Sequence, residues 1–200
     1  MSPLNYDYCD IIKHSYHYKS NLGSTTNIKK CVKRLAGEIP VLRSSLDVSY
    51  DSAIFMRVDE NNFNALRILI TGPKDTPYEN GCYIFDVFLG SNYPDSCPEF
   101  HFLNTGGERC NPNLYACGKV CLSLLGTYIG PTPSESERWI PKESTLYQVI
   151  ISIQAQILVE EPYYNEPGYE SKKNTTSGKL SSKQYNDNVR LFTMNHAICD

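Results

Sequence analysis

The sequence lacks any apolar run approaching the ~20 residues that a membrane-spanning helix needs. It also lacks a strong excess of charge: the formal net charge is -3, which gives no reason to expect binding to nucleic acid or to an anionic membrane. The first residues have neither a basic flank nor an apolar stretch, so we expect no secretory signal.

Histidine is scarce, with four in 200 residues. A cysteine protease needs a histidine and an Asp or Asn partner near its nucleophile, and none of the four has such a context. The sequence also lacks the Cys-x-x-Cys knuckles typical of zinc modules. This disfavours a zinc site built from Cys110, Cys117, Cys121 and His101, and we predict no metal site.

Cysteine is plentiful, but its distribution does not indicate disulfides. The eight cysteines are spread over a chain that is long enough to bury a full core without cross-links. Because no signal sequence is seen, free thiols in a reducing compartment are the better interpretation. We expect the protein in the cytoplasm, the nucleus or both.

One turn-rich segment, Asn111–Ser123, carries the candidate chemistry. Its opening Asn-Pro-Asn disfavours helix, and Gly118 permits a tight turn before a short extended stretch that ends at Cys121. Asn113 lies eight residues before that cysteine and can place a side-chain N–H beside the sulfur. A nucleophile with an amide donor is the minimum needed for acyl transfer through a thioester.

This segment resembles the active-site motif of the ubiquitin-conjugating enzymes, in which His-Pro-Asn, a glycine turn and Ile/Val-Cys-Leu follow at the same spacing. The likeness covers residues 28–185 and is most similar to the conjugating domain of the BRUCE/apollon-type hybrid conjugating enzyme–ligases. The stretches that carry it are RLAGEI, ITGPKDTPYENGCYIFDV, NPNLY, GKVCLSLLGT and ILVEEPYYNEPGYE. One departure is Asn111, which replaces the leading histidine of the motif, a mainly structural residue in the family.

The resemblance implies roles for three residues. Cys121 would carry ubiquitin as a thioester, and Asn113 would stabilise the oxyanion that forms when a substrate lysine attacks. Glu166, in the loop after the central helix, would accept the lysine proton. Ser123 stands where family members often have an acidic residue, which leaves fewer groups for that task. No cofactor is implied, because ATP is used by the activating enzyme.

The resemblance also implies protein partners, namely ubiquitin, the ubiquitin-activating enzyme, protein substrates and, as a further candidate, a ubiquitin ligase. In the family, basic residues of the first helix meet the activating enzyme, and here they would be Lys29, Lys30, Lys33 and Arg34. Pro94 and Asp95 lie in the ligase-facing loop. An acidic side chain is costly in the apolar pocket of a RING-type ligase, so ordinary RING partnership is disfavoured.

The apolar periodicity predicts an α+β fold, which the resemblance identifies as the UBC fold. Helical spacing from residue 28 predicts an N-terminal helix that Pro40 should end or kink. Four segments then predict a four-stranded antiparallel meander, because their connecting loops are too short for crossover helices. Residues 146–159, capped by Ser144 or Thr145, predict a central buried helix, and residues 181–197 a C-terminal helix. The predicted strands are residues 53–58, 65–71, 81–89 and 99–103.

Three stretches fall outside these elements. Residues 1–26 are predicted to be a polar N-terminal extension of a conjugating domain at 27–198, and residues 172–182 a mobile linker. An insertion loop at 126–144 is longer than in most of the family and is predicted to lie near the nucleophile. Two interpretations of this loop remain: it gates the site or contacts a partner, or it is a surface insertion without a function.

The function predicted is therefore a ubiquitin-conjugating enzyme that accepts ubiquitin on Cys121 and transfers it to a substrate lysine. The alternative is a catalytically inactive, ubiquitin-binding variant of the same fold. The presence of Cys121 with Asn113 favours the enzyme, whereas Ser123, Asn111 and Asp95 keep the variant open.

Overall fold

The computed structural model describes residues 5–24, 29–128, 134 and 137–198. Within them, five strands and three α-helices form an α+β fold. The strands are β1 (Tyr6–Cys9), β2 (Ile54–Asp59), β3 (Ala65–Thr71), β4 (Cys82–Phe88) and β5 (Glu99–Phe102). The helices are α1 (Lys29–Ser45), α2 (Leu146–Ser152) and α3 (Thr176–Phe192), and π-helical turns extend α2 through Ile153–Ile157 and α3 through Thr193–Ile198. In this part of the chain, no helix combines the length and apolar character that crossing a membrane requires.

The predicted meander is confirmed, because β2 to β5 pair in sequence order and each is antiparallel to the next. The strand number was wrong: β1 joins the edge at β2 and runs parallel to it, so the sheet has five strands. Four residues are too few to show an alternating pattern, and the partner strand lies beyond α1 in sequence. Residues of the predicted extension therefore form part of the sheet. The boundary between residues 26 and 27 stays a prediction, since 25–28 lie outside the described ranges.

Side chains alternate between the two faces of the sheet. The inner face, with Ile68, Phe85 and Phe102, packs against buried residues of all three helices and forms the main core. The predicted central helix is confirmed, with Leu146 and Ile150 fully buried in that core. Its cap is Thr145, which exchanges two hydrogen bonds with Gln148 in a capping box.

α1 does not end at Pro40, contrary to one form of the prediction. The helix continues from Lys29 to Ser45 with the proline inside it. A proline in a helix interior costs about 3 kcal/mol, because it removes a backbone hydrogen bond and crowds the preceding turn. Leu35 and Leu42 lie on either side of Pro40 and are almost completely buried. Packing of both ends against the core therefore outweighs the local cost.

Residues 172–182 are not a linker, and α3 begins earlier than predicted. A short turn at Glu170–Lys172 leads into α3, whose first turn is capped by the Thr175 hydroxyl accepting the Gly178 N–H at 3.0 Å. Gly178 is needed there, because a Cβ would lie 2.1 Å from the Lys172 carbonyl oxygen. The Ser, Thr and Gly residues that suggested a linker thus serve capping and close backbone approach.

A buried carboxylate, Glu38, joins α1 to the rest of the domain. Besides its ion pair with Arg34, it accepts the Tyr93 hydroxyl at 2.8 Å and the N–H of Leu146 at 2.9 Å. Arg34 also donates to the Ser144 carbonyl at 2.7 Å. Burial and the charge of Glu38 raise the pKa of Tyr93, so its hydroxyl stays protonated as a donor. This joint fixes α1, the loop at Tyr93 and the start of α2 relative to one another.

We expect Glu38→Ala to lower the free energy of unfolding by about 2–4 kcal/mol, because Arg34, the Tyr93 hydroxyl and the Leu146 N–H lose their shared acceptor. Asp95→Ala is the matched control. Asp95 pairs with Lys30 at the surface, where both side chains are more than half exposed, so its loss should cost less than about 1 kcal/mol. Chemical denaturation measures both, and equal losses would contradict the role given to Glu38.

Candidate functional site

Asn111 anchors the loop that follows β5. Its side chain is fully buried, and its amide nitrogen donates to the Tyr78 hydroxyl and to the Ile157 carbonyl, each at 2.7 Å. Its oxygen accepts the backbone N–H of Asn113 at 2.7 Å. The residue that departs from the family motif therefore ties the loop to the end of the central helix and orients Asn113.

The structure brings Asn113 and Cys121 side by side. The Cys121 N–H donates to the Asn113 carbonyl at 2.8 Å, and the Asn113 side-chain nitrogen donates to the Cys121 carbonyl at 3.0 Å. An amide nitrogen carries two N–H donors. One of them bonds the backbone carbonyl of the cysteine here.

Thr127 encloses Cys121 from the other side. Its hydroxyl donates to the Val120 carbonyl at 2.6 Å and accepts the Leu122 N–H at 3.1 Å, so it bridges the residues before and after the cysteine. Its own carbonyl accepts the Cys121 thiol at 3.1 Å. Cys121 is 3% exposed in this arrangement. The Cys121 thiol is therefore nearly enclosed and bonded to the Thr127 carbonyl.

Tyr115 connects the cysteine to the predicted proton acceptor. Burial raises the pKa of the Tyr115 phenol, and the charge of Cys121 and a hydrogen bond with it raise that pKa further. Arg109 lies 4.4 Å from the centroid of the Tyr115 ring and forms an ion pair with Glu166 at 3.4 Å. The structure thus places Glu166 on the Tyr115 side of the cysteine, with its carboxylate bound to a guanidinium.

The loop that carries Glu166 is held by its neighbour Asn165. The Asn165 side chain donates to the Gln156 carbonyl at 3.0 Å and makes a long contact, 3.5 Å, with the Asn111 oxygen. The same buried amide therefore orients both arms of the site. Side-chain contacts of this kind are not visible in periodicity or spacing.

Three residues of this site were missed by the sequence analysis. Tyr115 and Thr127 do lie within the quoted stretches NPNLY and GKVCLSLLGT, which is the signal that could have drawn attention to them. Arg109 lies just before the turn-rich segment and had no motif to mark it.

The other thiols near the site differ from Cys121. Cys110 is buried, and burial raises its pKa to about 12, which keeps it protonated. Cys117 is exposed on the turn before Gly118, so its thiol is the accessible alternative to Cys121 as a reactive thiol. Among the described residues, no three His, Cys, Asp or Glu side chains converge as metal ligands would.

The residues predicted to meet partners fall into two groups. Of the four basic residues predicted on α1, three are exposed, namely Lys29, Lys30 and Lys33. Lys30 forms an ion pair with Asp95, which is equally exposed. Arg34 and Pro94 are used inside the domain instead. Arg34 belongs to the Glu38 joint, and Pro94 is buried with its carbonyl accepting the Trp139 indole N–H at 2.7 Å.

The insertion loop, residues 126–144, begins beside Cys121, which Thr127 contacts. Residues 129–133 and 135–136 of the loop lie outside the described ranges. A groove of about 430 Å³ separates the residues after Cys121 from α2 and its π-helical turn. Its walls include Leu122, Leu124, Ile140, Tyr147, Ile151 and Gln156. Leu122, the residue directly after Cys121, forms part of one wall of this groove.

Thr127→Val should raise the rate at which iodoacetamide alkylates Cys121 by about tenfold. The change removes two hydrogen bonds of about 1 kcal/mol each and leaves buried backbone groups unpaired, which frees the sulfur. Mass spectrometry of the peptide that contains Cys121 measures the rate, and buried Cys110 reports global unfolding in the same sample. Thr127→Ser keeps the hydroxyl and should react like the unchanged protein; a wild-type rate for the valine variant would contradict the clamp.

The chain is similar in sequence to proteins of known family. The family model described as "Ubiquitin-conjugating enzyme" matches residues 37–193. Human "Dual E2 ubiquitin-conjugating enzyme/E3 ubiquitin-protein ligase BIRC6" is 44% identical over 192 residues, which cover 94% of this chain and 4% of that protein. "Putative ubiquitin-conjugating enzyme E2 39" of Arabidopsis thaliana is 47% identical over 149 residues, 74% of this chain and 46% of that protein. The chain thus spans less than half the length of these curated relatives.

The fold is also shared with a solved structure, the E2 domain of a Toxoplasma gondii ubiquitin conjugating enzyme. The TM-score is 0.55 at 21% identity, with 82% of this chain and 98% of that chain covered. This likeness establishes the fold alone and confirms the predicted UBC class. The family match extends over most of the chain, and the sequence identities exceed 40%. This chain belongs to the ubiquitin-conjugating enzyme family.

Proposed function

We propose that this chain is an active conjugating enzyme, which takes ubiquitin from the activating enzyme as a thioester on Cys121 and transfers it to a substrate lysine. The observation that supports the proposal is the mutual hydrogen bonding of Asn113 with the backbone of Cys121, whose thiol is free. A fold used only to bind ubiquitin needs neither the nucleophile nor its amide neighbour. That inactive variant is the second candidate.

Charging is a transthiolation. The Cys121 sulfur leaves the Thr127 carbonyl, loses its proton to solvent and attacks the carbonyl carbon of the ubiquitin thioester on the activating enzyme. The new sulfur–carbon bond forms as the old one breaks and the activating enzyme's thiol is released. ATP has already been used by the activating enzyme, so this chain supplies no nucleotide chemistry. The groove beside Leu122 is suited to hold the extended end of ubiquitin.

Transfer is an aminolysis. The lysine amine attacks the thioester carbonyl, and negative charge collects on the carbonyl oxygen, where the second N–H of Asn113 can stabilise it. The oxyanion then collapses to an isopeptide bond as the carbon–sulfur bond breaks and the Cys121 thiolate leaves. The attacking ammonium must first give up a proton, and Glu166 is the proposed acceptor. Because Glu166 is paired with Arg109 at 3.4 Å, an incoming lysine would compete with that guanidinium for the carboxylate. Tyr115 contacts both Cys121 and Arg109 and would line the path of the lysine.

Partners follow from the exposed groups. Lys29, Lys30 and Lys33 are proposed to meet an acidic surface of the activating enzyme, whereas Arg34 is committed to the Glu38 joint. Asp95 is proposed to affect which ligases bind, because its acidic side chain disfavours an apolar RING pocket. The human relative's name includes a ligase activity, but this chain matches 4% of that protein, so only the conjugating step is proposed. The cytoplasmic or nuclear location stays a prediction.

A charging assay tests the function directly. With ubiquitin, activating enzyme and ATP, the chain should form an adduct that a thiol reductant removes, seen as a shift on a non-reducing gel. Cys121→Ser should abolish the reducible adduct, and Cys117→Ser, the matched control on the same loop, should retain it. An adduct that persists without Cys121 would assign the nucleophile elsewhere. No adduct with ubiquitin or with a related modifier would favour the inactive variant.

Asn113→Ala separates the two steps. Charging should stay within about twofold, because the oxyanion contact is needed for aminolysis, whereas discharge to free lysine should slow by about 10²–10³. Pre-charged enzyme chased with lysine, followed by loss of the thioester band, gives the second rate. A parallel loss of charging and discharge would show that the change collapses the loop instead.

A further inference from the structure

The N-terminal segment folds over the outer face of the sheet. This strap, residues 10–22, was expected to be a polar extension. It instead forms a second apolar cluster with two strands, whose buried members are Ile11, Tyr16, Tyr18, Ala65 and Phe88. The Tyr16 hydroxyl donates to the Val87 carbonyl at 2.6 Å, which holds the strap against β4.

A polar row crosses the outer face beneath the strap. The strand register places Arg67 of β3, Asp86 of β4 and His101 of β5 next to one another. Arg67 and Asp86 form an ion pair at 2.7 Å, and Asp86 also accepts the backbone N–H of His17 at 2.8 Å. Asp86 has no exposed surface. The strap therefore closes over a satisfied ion pair and is positioned by it.

His17 of the strap lies flat on His101. The two ring centroids are 3.4 Å apart and the ring planes differ by 9°, while Tyr18 meets both rings edge-on. The outer side of His17 faces solvent. His101 is thereby enclosed between the sheet, the strap and the active-site loop.

His101 in turn supports the active-site turn. Gly118 has a φ of +82°, and a Cβ there would lie 2.2 Å from the His101 ring, so the imidazole occupies the space that the glycine leaves. The Phe102 N–H donates to the Gly118 carbonyl at 2.8 Å. A continuous line of contacts therefore runs from His17 through His101 to the turn three residues before Cys121.

We infer that His17 is a positioning residue, which braces the Gly118 turn by holding the His101 ring against it. The brace is a property of the fold, and its effect on ubiquitin transfer rests on the proposed function. Without the stacked ring, His101 can move outward, and the Gly118 turn is then held only by its two backbone hydrogen bonds. Asn113 and Cys121, which are bonded to each other across this turn, would then lose their fixed separation.

Acid should weaken the brace. Burial, and then the charge of His17, lower the pKa of His101, whereas Asp86 raises it. Protonation of His101 would place a positive charge in a partly buried ring stack, which burial opposes. Because the pKa of folded His101 lies below its ordinary value of about 6.5, the stability that the stack contributes is complete above that pH and is lost as the pH falls. Three further charged residues lie near the stack. Arg67 neutralises Asp86, and the backbone of Lys119 bridges to that of His101. The charge of Glu99 acts on Tyr18.

Hydrogen exchange at the Gly118 amide tests the brace without ubiquitin. That N–H is bonded to the Tyr115 carbonyl at 2.9 Å and reports opening of the turn. His17→Ala should lower its protection factor by about two- to tenfold, the range expected for one lost ring contact. His14→Ala is the matched control, because His14 is an exposed histidine on the same strap. Amides of β3 should be unchanged in both variants.

His17→Phe separates stacking from mere bulk on the surface. Phenylalanine keeps a flat ring and carries no charge, so Gly118 protection should match that of the unchanged protein at pH 7.5 and fall less than in that protein at pH 5.5. Equal protection in the His17→Ala and His14→Ala variants would overturn the brace, even if the protein charges normally.

Reduced protection of the Gly118 amide in His17→Ala supports the brace even if the protein never accepts ubiquitin. Failure of the proposed function is detected separately, by the charging assay. Where charging occurs, discharge to lysine in His17→Ala should slow by about the same factor as the protection falls, with His17→Phe restoring it. Unchanged discharge despite lost protection would overturn the positioning role.

Discussion

The geometry of the reactive loop depends on one buried amide, the side chain of Asn111. A neutral imidazole offers one donor and one acceptor, whereas a primary amide offers two donors and an oxygen with two lone pairs. Asn111 uses this larger capacity: its nitrogen holds the Tyr78 hydroxyl and the end of the central helix, and its oxygen receives Asn113. The departure from the histidine of the family motif is thus accommodated by a residue that can make more hydrogen bonds.

Charge in this domain is divided between internal joints and free surface. Arg34 and Arg109 each hold a carboxylate and a backbone carbonyl, so their guanidinium groups connect elements of the fold. The lysines of α1 remain exposed. Guanidinium is suited to the first task because it donates in several directions at once, and ammonium to the second because it is readily paired and released. The four basic residues of α1 therefore do not form one exposed surface, because Arg34 is bonded inside the domain.

Sequence patterns predicted the elements whose signal is local and repeated. The alternation in β2 to β4 and the apolar character of the central helix are dense enough to locate those elements within a residue or two, and the loop that carries Cys121 was marked by its turn formers. The misses have one physical origin, which is that distant contacts decided them. β1 exists because β2 offers an edge, α1 continues through Pro40 because the core holds both ends, and Thr127 matters through hydrogen bonds that only the folded chain creates.

The family match begins at residue 37, which lies inside α1 and after both β1 and the strap. A chain shortened to that match would keep the cysteine, the asparagine and the central helix. It would lose the strand that covers the edge of β2 and the segment that covers Ala65 and Phe88. An open strand edge beside an uncovered apolar face is a template for pairing between molecules. In this protein, the unit that covers the β2 edge and the outer sheet face is therefore larger than the unit that carries the motif.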